Sequence, residues 1–463
     1  MMRWLLVPNY EDEPDGLVRF DESLPALVSL VVEMFDDEAV EAAAFIRDAH
    51  GTLAVVLDRQ LAAVQQTEAC ARVTERLGAY ARKAPIRGRD DPGAGALLRE
   101  ANEGRRIQVR GTEGGADRMI RLIDRRIVGA DWMVPPVGIA EGIPRIAFLS
   151  IKGGVGRSTA LAVCAAHLAR TGRRVLTVDL DMEAPGLGAV LLDDATRPRF
   201  GVVDWLIEDG LSGIDPAFIA DAIGASPVAK GVSVLPAFGT ATEANPADAL
   251  SKIARAMVED QGVDGSVPFR AQVRAMLDAC AETRDYDIIL IDGRAGLHET
   301  TAAVALESGA RVLLFGRDEP QTFQGYRLLL AHVDERLPHG DRLRERSWFV
   351  HARAAATPNP EARERFQALW ANNPFDAAAP EGPALGVDDF EISWPDEEAA
   401  AAVPLPEDDV PVLKVLEDTR FHGFDPLSNA ALLEPSVVTP IFGELLGWLD
   451  EELQAAMDEE GAP

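Results

Sequence analysis

A glycine-rich loop between two apolar segments constrains the fold of this chain more than any other feature. Arg145–Ser150 is a short apolar run typical of a buried strand, and the loop Lys152–Thr159, with the sequence KGGVGRST, follows it. The three glycines allow the backbone to turn tightly, so that successive N–H groups can point at one anion. Ser158 and Thr159 then begin a predicted helix, whose N-terminal dipole favours phosphate. The spacing therefore predicts a phosphate-binding site.

Two further strands place acidic side chains near this loop. Arg174–Leu180 predicts a strand that ends at Asp179 and Asp181, and Tyr286–Asp292, with the sequence YDIILID, is an apolar strand that ends in an acid. A carboxylate at the end of such a strand can orient metal-bound water. A simple glycine turn is the alternative interpretation. The basic residue, the two hydroxyls and the acids in this order favour a nucleotide site with metal chemistry beside it.

The stretch Arg145–Gly188 resembles the deviant Walker A P-loop ATPases of the SIMIBI class, the group that includes the MinD and ParA ATPases. Their loop reads KGGxGK[ST]T, and Lys152 stands at its signature lysine. Arg157 departs from this pattern, because the family has a second, phosphate-binding lysine there. The loop therefore resembles the KGGVGR-variant subgroup. Arg294, which follows the strand ending at Asp292, is a second departure.

The resemblance implies an α/β fold, namely a P-loop NTPase with a mostly parallel sheet flanked by helices, and it implies ATP and Mg²⁺ as cofactors. Ser158 would hold Mg²⁺ directly and Asp292 through water. Asp181 would orient or deprotonate the attacking water, and Lys152 would stabilise charge across an ATP-linked homodimer. Arg294 is either a cation near the terminal phosphate or a structural partner of a nearby acid. The implied nucleotide-binding residues are Lys152, Gly153, Gly154, Val155, Gly156, Arg157, Ser158 and Thr159.

The composition of the chain predicts two domains. Val134–Gly138, with the sequence VPPVG, is typical of a linker, so we expect an N-terminal, mainly helical accessory domain over 1–140 and the ATPase domain over 141–463. Within the ATPase domain, 374–409 is rich in Pro, Ala, Asp and Glu and contains no Lys or Arg, which predicts an acidic, mobile insertion. In the accessory domain we expect helices within Leu24–Phe35, Glu38–Ile46 and Leu53–Ala84.

The charge of the chain limits its partners. The formal net charge is -31, and an acidic surface repels nucleic acid and anionic lipid. The region Arg82–Arg126, which contains a cluster of ten arginines from Arg87 to Arg126, is the one region that could bind nucleic acid, although a solvated helical surface is the favoured interpretation. The chain has no Lys or Arg after Arg420, whereas MinD-type proteins attach to membranes through a basic C-terminal helix. We therefore expect no stable membrane binding, and we find no run that is long and apolar enough to span a bilayer.

Two functions remain open from the sequence. The first is a Mg-dependent ATP-binding and hydrolysing molecular switch that controls a protein partner through nucleotide-dependent dimerisation. The second is a nucleotide-sensing module with little or no hydrolysis, which Arg157 motivates.

Three widely spaced cysteines favour a reducing cytoplasm. A tyrosine-kinase role is disfavoured because no Tyr follows Tyr326. In the wider family, one loop helps to read the nucleotide base, often through an asparagine. This chain offers His351 and Arg353 there instead. The KGGVGR-variant group resembles components of multi-component bacterial systems such as phage defence.

Overall fold

The computed structural model describes residues 18–104, 106–111, 116–262, 265–283, 285–357, 359–371 and 412–460. The chain forms two compact units, residues 1–130 and 131–463. The division lies N-terminal to the predicted boundary near residue 140, because the predicted linker is hydrogen-bonded within the second unit. The backbone N–H of Val137 donates to the carbonyl of Leu306 at 2.8 Å, and that of Ala140 donates to Gly309 at 2.9 Å.

The first unit contains helices on a five-stranded mixed sheet. The helices are α1 (Phe20–Met34), α2 (Asp37–Ala42), α3 (Ala63–Leu77) and α4 (Ala94–Glu103). The strands are β1 (Ala44–Arg47), β2 (Leu53–Val56), β3 (Ala81–Arg87), β4 (Arg106–Val109) and β5 (Arg118–Asp124), in the order β3-β2-β1-β5-β4. The helix predicted within Leu24–Phe35 is confirmed by α1.

The prediction of a mainly helical first domain missed this sheet. The helical predictions over Glu38–Ile46 and Leu53–Ala84 are wrong where β1, β2 and β3 form. All four residues of β2 are buried, and this strand pairs with β1 on one side and β3 on the other. Pairing and burial outweigh the helix propensity of alanine, which is only a weak preference.

The second unit is built on an eight-stranded sheet with the order β15-β14-β13-β6-β12-β7-β9-β8. All neighbouring strands are parallel except β8 and β9. The strands are β6 (Arg145–Ser150), β7 (Val175–Asp179), β8 (Gly224–Ala225), β9 (Val232–Leu235), β12 (Ile288–Ala295), β13 (Arg311–Gly316), β14 (Ser347–Ala354) and β15 (Val412–Leu416), and a separate hairpin is formed by β10 (Asp260–Gly262) and β11 (Gly265–Val267). The mostly parallel sheet of the predicted fold is thus confirmed.

Helices cover both faces of this sheet. They are α5 (Arg157–Arg170), α6 (Leu187–Leu191), α7 (Val202–Leu211), α8 (Pro216–Ala222), α9 (Thr240–Glu243), α10 (Ala249–Ala256), α11 (Phe269–Glu282), α12 (Glu299–Ala302), α13 (Pro320–Arg336), α14 (Asp341–Glu345), α15 (Pro360–Ala371) and α16 (Pro435–Glu460). Successive residues of one strand enter different cores: Phe148 packs in one apolar cluster and Leu149 in the other. Burial on both faces explains why β6 is uninterruptedly buried. Because the parallel strands end at one edge, β6, β7 and β12 bring their following residues together there.

The C-terminal helix α16 packs on the fold with Phe442, Leu445 and Leu449 buried. The expectation that no segment is long and apolar enough to span a bilayer is wrong, because one helical stretch meets both criteria. Within the helical stretch Ala430–Ala456, an 18-residue window has a mean hydropathy of 1.2, and 39% of that window is buried within the fold. Its contacts with β15 and α5 account for part of this apolar character. The insertion predicted at 374–409 lies outside the described residues.

Candidate functional site

The loop between β6 and α5 presents its backbone to open space. Gly154 and Gly156 have φ values of 73° and 94°, a left-handed conformation that favours glycine. A Cβ atom added at Gly153, Gly154 or Gly156 would meet nothing within 4 Å. Val155 anchors the loop, because its side chain is buried in the core below. The result is an open, glycine-lined cradle at the N-terminus of α5, which fits an anionic group.

Arg157 is the first residue of α5, and its side chain turns inward instead of toward solvent. The residue is only 8% exposed. Its Nε donates to Oδ1 of Asp292 at 2.6 Å, its Nη2 to Oδ2 of Asp181 at 3.0 Å, and its Nη1 to the Ser150 hydroxyl at 3.4 Å. Burial opposes the guanidinium charge, but the carboxylates of Asp292 and Asp181 outweigh it and raise the pKa of Arg157. Three of the predicted site residues are therefore joined in one buried ion-pair cluster.

Asp179 is a further buried acid beside this cluster, and it had no role assigned from the sequence. Its carboxylate accepts backbone N–H groups from Asp181 at 3.1 Å and from Gly186 and Leu187 at 3.0 Å each. Burial and the nearby charge of Asp292 raise the pKa of Asp179 to about 7, although the three N–H donors act against this. These bonds fix the turn after β7 and so hold Asp181 in place.

Asp292 has one oxygen that fits a cation. The residue is completely buried, and burial raises the pKa of its carboxyl, whereas Arg157 and the nearby Ser158 hydroxyl lower it. Within the described ranges, Oδ2 of Asp292 has no hydrogen-bond partner. A carboxylate oxygen beside a hydroxyl is the oxygen donor set that Mg²⁺ prefers. The described residues contain no group of three His, Cys, Asp or Glu side chains placed to hold a metal, so any Mg²⁺ here needs water or ligand oxygens to complete its shell.

Comparison with known proteins assigns the segment that carries this cluster. The family model of the AAA domain matches residues 144–338. An iron-sulfur cluster carrier protein of Pseudomonas fragi is 35% identical over 88 residues, which cover 18% of this chain and 31% of that protein. A protein of Oltmannsiellopsis viridis named as a septum site-determining protein MinD is 40% identical over 88 residues, 19% of this chain and 27% of that protein. Residues 144–338 are thus similar to the MinD/ParA-like P-loop ATPases.

A solved structure of low sequence identity also matches this chain. A solved ParA family ATPase of Chlorobium tepidum TLS is 16% identical, with a TM-score of 0.43, and the match covers 66% of this chain and 98% of that one. This chain spans less than a third of the length of each of the two curated relatives.

The signature lysine of the MinD/ParA-like loop has a local partner. Nζ of Lys152 lies 3.0 Å from Oε2 of Glu319, and the Lys152 side chain is 41% exposed. Glu319 also pairs with Arg317 at 3.1 Å, and the Lys152 contact lowers the pKa of the Glu319 carboxyl. Glu319 comes from the start of α13, far away in sequence, so no local motif identified it. The Lys152 side chain is therefore partly exposed while it is paired with Glu319.

Arg294 forms an ion pair with Glu183, which follows the acidic end of β7. This contact corresponds to the structural alternative for Arg294, and Glu183 was not among the predicted site residues. His298 lies 4.0 Å from the same carboxylate, and its pKa is lowered by burial and by Arg294. Neither residue belongs to the buried cluster around Arg157.

His351 and Arg353, the two residues considered for base reading, have different surroundings. His351 is buried and packs on Phe366 with a ring-centroid distance of 5.2 Å, and burial lowers the pKa of its imidazole. Arg353, with a φ of 52°, lines a small cavity next to Gly156 and Thr159 of the MinD/ParA-like loop. Of the two, Arg353 is the side chain placed beside the loop, whereas the surroundings of His351 are those of a core residue.

Proposed function

We propose that the second unit is a Mg-dependent ATP-binding and hydrolysing molecular switch. The observation that carries this proposal is the convergence of the open glycine cradle, Asp181 and Asp292 at the carboxyl edge of the parallel sheet. The loop N–H groups bind the phosphates, and Arg157 supplies the positive charge that the family's lysine otherwise provides. Ser158 and the free oxygen of Asp292 hold Mg²⁺, the latter through water.

Each remaining residue has a defined task in this proposal. Mg²⁺, when bound, neutralises charge that develops on the phosphates. Asp181, at the end of the turn fixed by Asp179, orients or deprotonates the attacking water. Lys152 reaches the nucleotide of a second subunit, so that ATP joins a homodimer. Arg294 keeps its ion pair with Glu183 and has a structural role beside the site.

A second candidate function is a nucleotide sensor with little or no hydrolysis. The ion pairs of Arg157 with both Asp181 and Asp292 favour it, because these acids are occupied by a cation of the chain itself. In both candidates the bound nucleotide changes the affinity for a protein partner, as in multi-component bacterial systems such as phage defence.

Steady-state phosphate release with saturating Mg-ATP separates the two functions. The switch predicts slow turnover by the wild type, and a loss of about 100-fold or more in Asp181→Ala, because general-base contributions are of this order. Calorimetry on the same two samples shows whether both bind ATP. Turnover at the wild-type rate in Asp181→Ala would mean that another residue activates water. Binding without turnover in the wild type would favour the sensor.

A further inference from the structure

Arg157 occupies the space between the two acids that the proposed function assigns to metal and water. Its guanidinium bridges Asp292 on β12 and Asp181 beyond β7, and both carboxylate side chains are at most 9% exposed. The two ion pairs use different nitrogens of the guanidinium, since Nε donates to Asp292 and Nη2 donates to Asp181. One planar cation thus neutralises two acids at once, which the point charge of a lysine ammonium does less well.

A divalent cation and this guanidinium cannot share the cluster at low cost. Both are positive, and buried charges at contact distance interact strongly because solvent screens them little. Mg²⁺ bound at Asp292 would lie next to a guanidinium whose Nε is 2.6 Å from the same carboxylate. The two acids therefore bind a metal more weakly while Arg157 is paired with them.

We infer that Arg157 is a latch that masks Asp181 and Asp292 from divalent cations until a polyphosphate draws the guanidinium into the glycine cradle. The inference rests on the proposed function, because the nucleotide phosphates are the ligand that releases the latch. Arginine pairs with phosphate as well as with carboxylate, so the released side chain keeps an anionic partner. The exposed acids then take up the metal. Nucleotide and metal binding are therefore positively coupled through Arg157.

The latch also explains how Arg157, in place of the family's lysine, is compatible with the presence of Asp181 and Asp292. A buried pair of carboxylates without compensation is costly. Before nucleotide binds, Arg157 neutralises the two carboxylates. After Arg157 has moved to the phosphates, the metal would neutralise them. The step involves no covalent chemistry, only an exchange of ion-pair partners.

Titration of Mn²⁺, followed by the electron paramagnetic resonance signal of the free ion, tests the masking without any nucleotide. Arg157→Gln removes the charge and should bind Mn²⁺ about tenfold tighter than the wild type. The gain should disappear in Arg157→Gln combined with Asp292→Asn, which locates the ion at the cluster. Equal Mn²⁺ affinity in the wild type and in Arg157→Gln overturns the latch.

Arg157→Lys serves as a second variant if Arg157→Gln does not fold, which circular dichroism will show. Because an ammonium compensates both acids poorly, this variant should bind Mn²⁺ more tightly than the wild type. A second titration in the presence of ADP tests the release. After the Mn²⁺ held by free ADP is subtracted, ADP should increase the Mn²⁺ bound to the wild-type protein by about tenfold. The increase should be smaller in Arg157→Lys. Bound ADP without this increase would show that Arg157 stays on the acids, and would overturn the release.

The two proposals fail in different ways. Absence of ADP and ATP binding in the wild type, measured by equilibrium dialysis, would overturn the proposed function. The nucleotide-free Mn²⁺ comparison would still decide whether Arg157 masks the acids.

Discussion

Nε of Arg157 lies 2.6 Å from Oδ1 of Asp292, and both side chains are buried. The residue expected to bind phosphate is thus paired with the residue expected to hold the metal. Asp181 completes the arrangement through a second ion pair of 3.0 Å with the same guanidinium. The latch inferred above therefore predicts that these two ion pairs break when nucleotide binds.

Removal of Arg157 should destabilise the second unit even without nucleotide. Arg157→Ala leaves two buried carboxylates without a cation, and breaking a buried ion pair typically costs about 3–5 kcal/mol. Adding Asp292→Asn should restore part of this loss. Denaturant unfolding measures both free energies, with Arg365→Ala as the control, because its pair with Asp318 is more exposed and contributes about 1 kcal/mol or less. A loss in Arg157→Ala no larger than in this control would contradict the ion-pair account.

The role of Lys152 across a dimer can be separated from its contact with Glu319. In the slow-turnover background Asp181→Ala, we expect light scattering to show a monomer without nucleotide and a dimer with Mg-ATP, since ligand binding and association are thermodynamically linked. Lys152→Ala should return the ATP-bound sample toward monomer. Glu319→Gln removes the local partner only and should leave the dimer intact. Equal dimerisation of the Lys152→Ala sample and its parent would restrict the lysine to a local role.

Stability should fall on acidification partly through His351. Burial first, and Lys414 and Arg365 in addition, hold the pKa of this imidazole below its usual value of 6.5, although Asp318 acts in the opposite direction. The folded state thus resists protonation, so the contribution of His351 is present above pH 6.5 and is lost as the pH falls below it. His351→Phe keeps a ring against Phe366 and lacks this titration. Unfolding at pH 7.5 and pH 5.5 should show a smaller acid-induced loss in the variant, and an identical loss would refute the assignment.

Membrane association should be weak despite the apolar character of α16. The helix buries Phe442, Leu445 and Leu449 in the fold, and no Lys or Arg follows Arg420 in the sequence. Each basic residue near an anionic surface contributes about 1 kcal/mol, and the tail has none. Liposome flotation at low salt, with and without ATP, should leave the protein in the unbound fraction. Strong flotation would instead point to α16 or to the Arg82–Arg126 region as an anchor.

The second unit could be predicted from sequence because its central strands are continuous apolar runs with a glycine loop and acids at their ends. The carboxyl edge of a parallel sheet necessarily brings Lys152–Thr159, Asp181 and Asp292 together. The direction of the Arg157 side chain could not be predicted, because a long side chain between phosphate and acids has two electrostatically favourable positions. Glu183 and Glu319 were missed since their partners are distant in sequence.

The first unit was less predictable for a different reason. Leu53–Val56 is a short apolar run inside an alanine-rich region, and such a run is compatible with a helix or a strand until its neighbours are known. Only the pairing with β1 and β3 decides between them.

Calorimetric titration of Mg-ATP tests the central claim, that the glycine loop binds nucleotide, most directly. Gly154 and Gly142 are a matched pair, with φ values of 73° and 78° and open space around each Cβ position, but only Gly154 lies in the loop. An alanine at either position costs about 1–2 kcal/mol of backbone strain. We predict ATP binding by the wild type and by Gly142→Ala, and binding about tenfold or more weaker in Gly154→Ala, a difference of about 1.4 kcal/mol or more. No binding by the wild type, or equal affinity in the two alanine variants, would contradict the account.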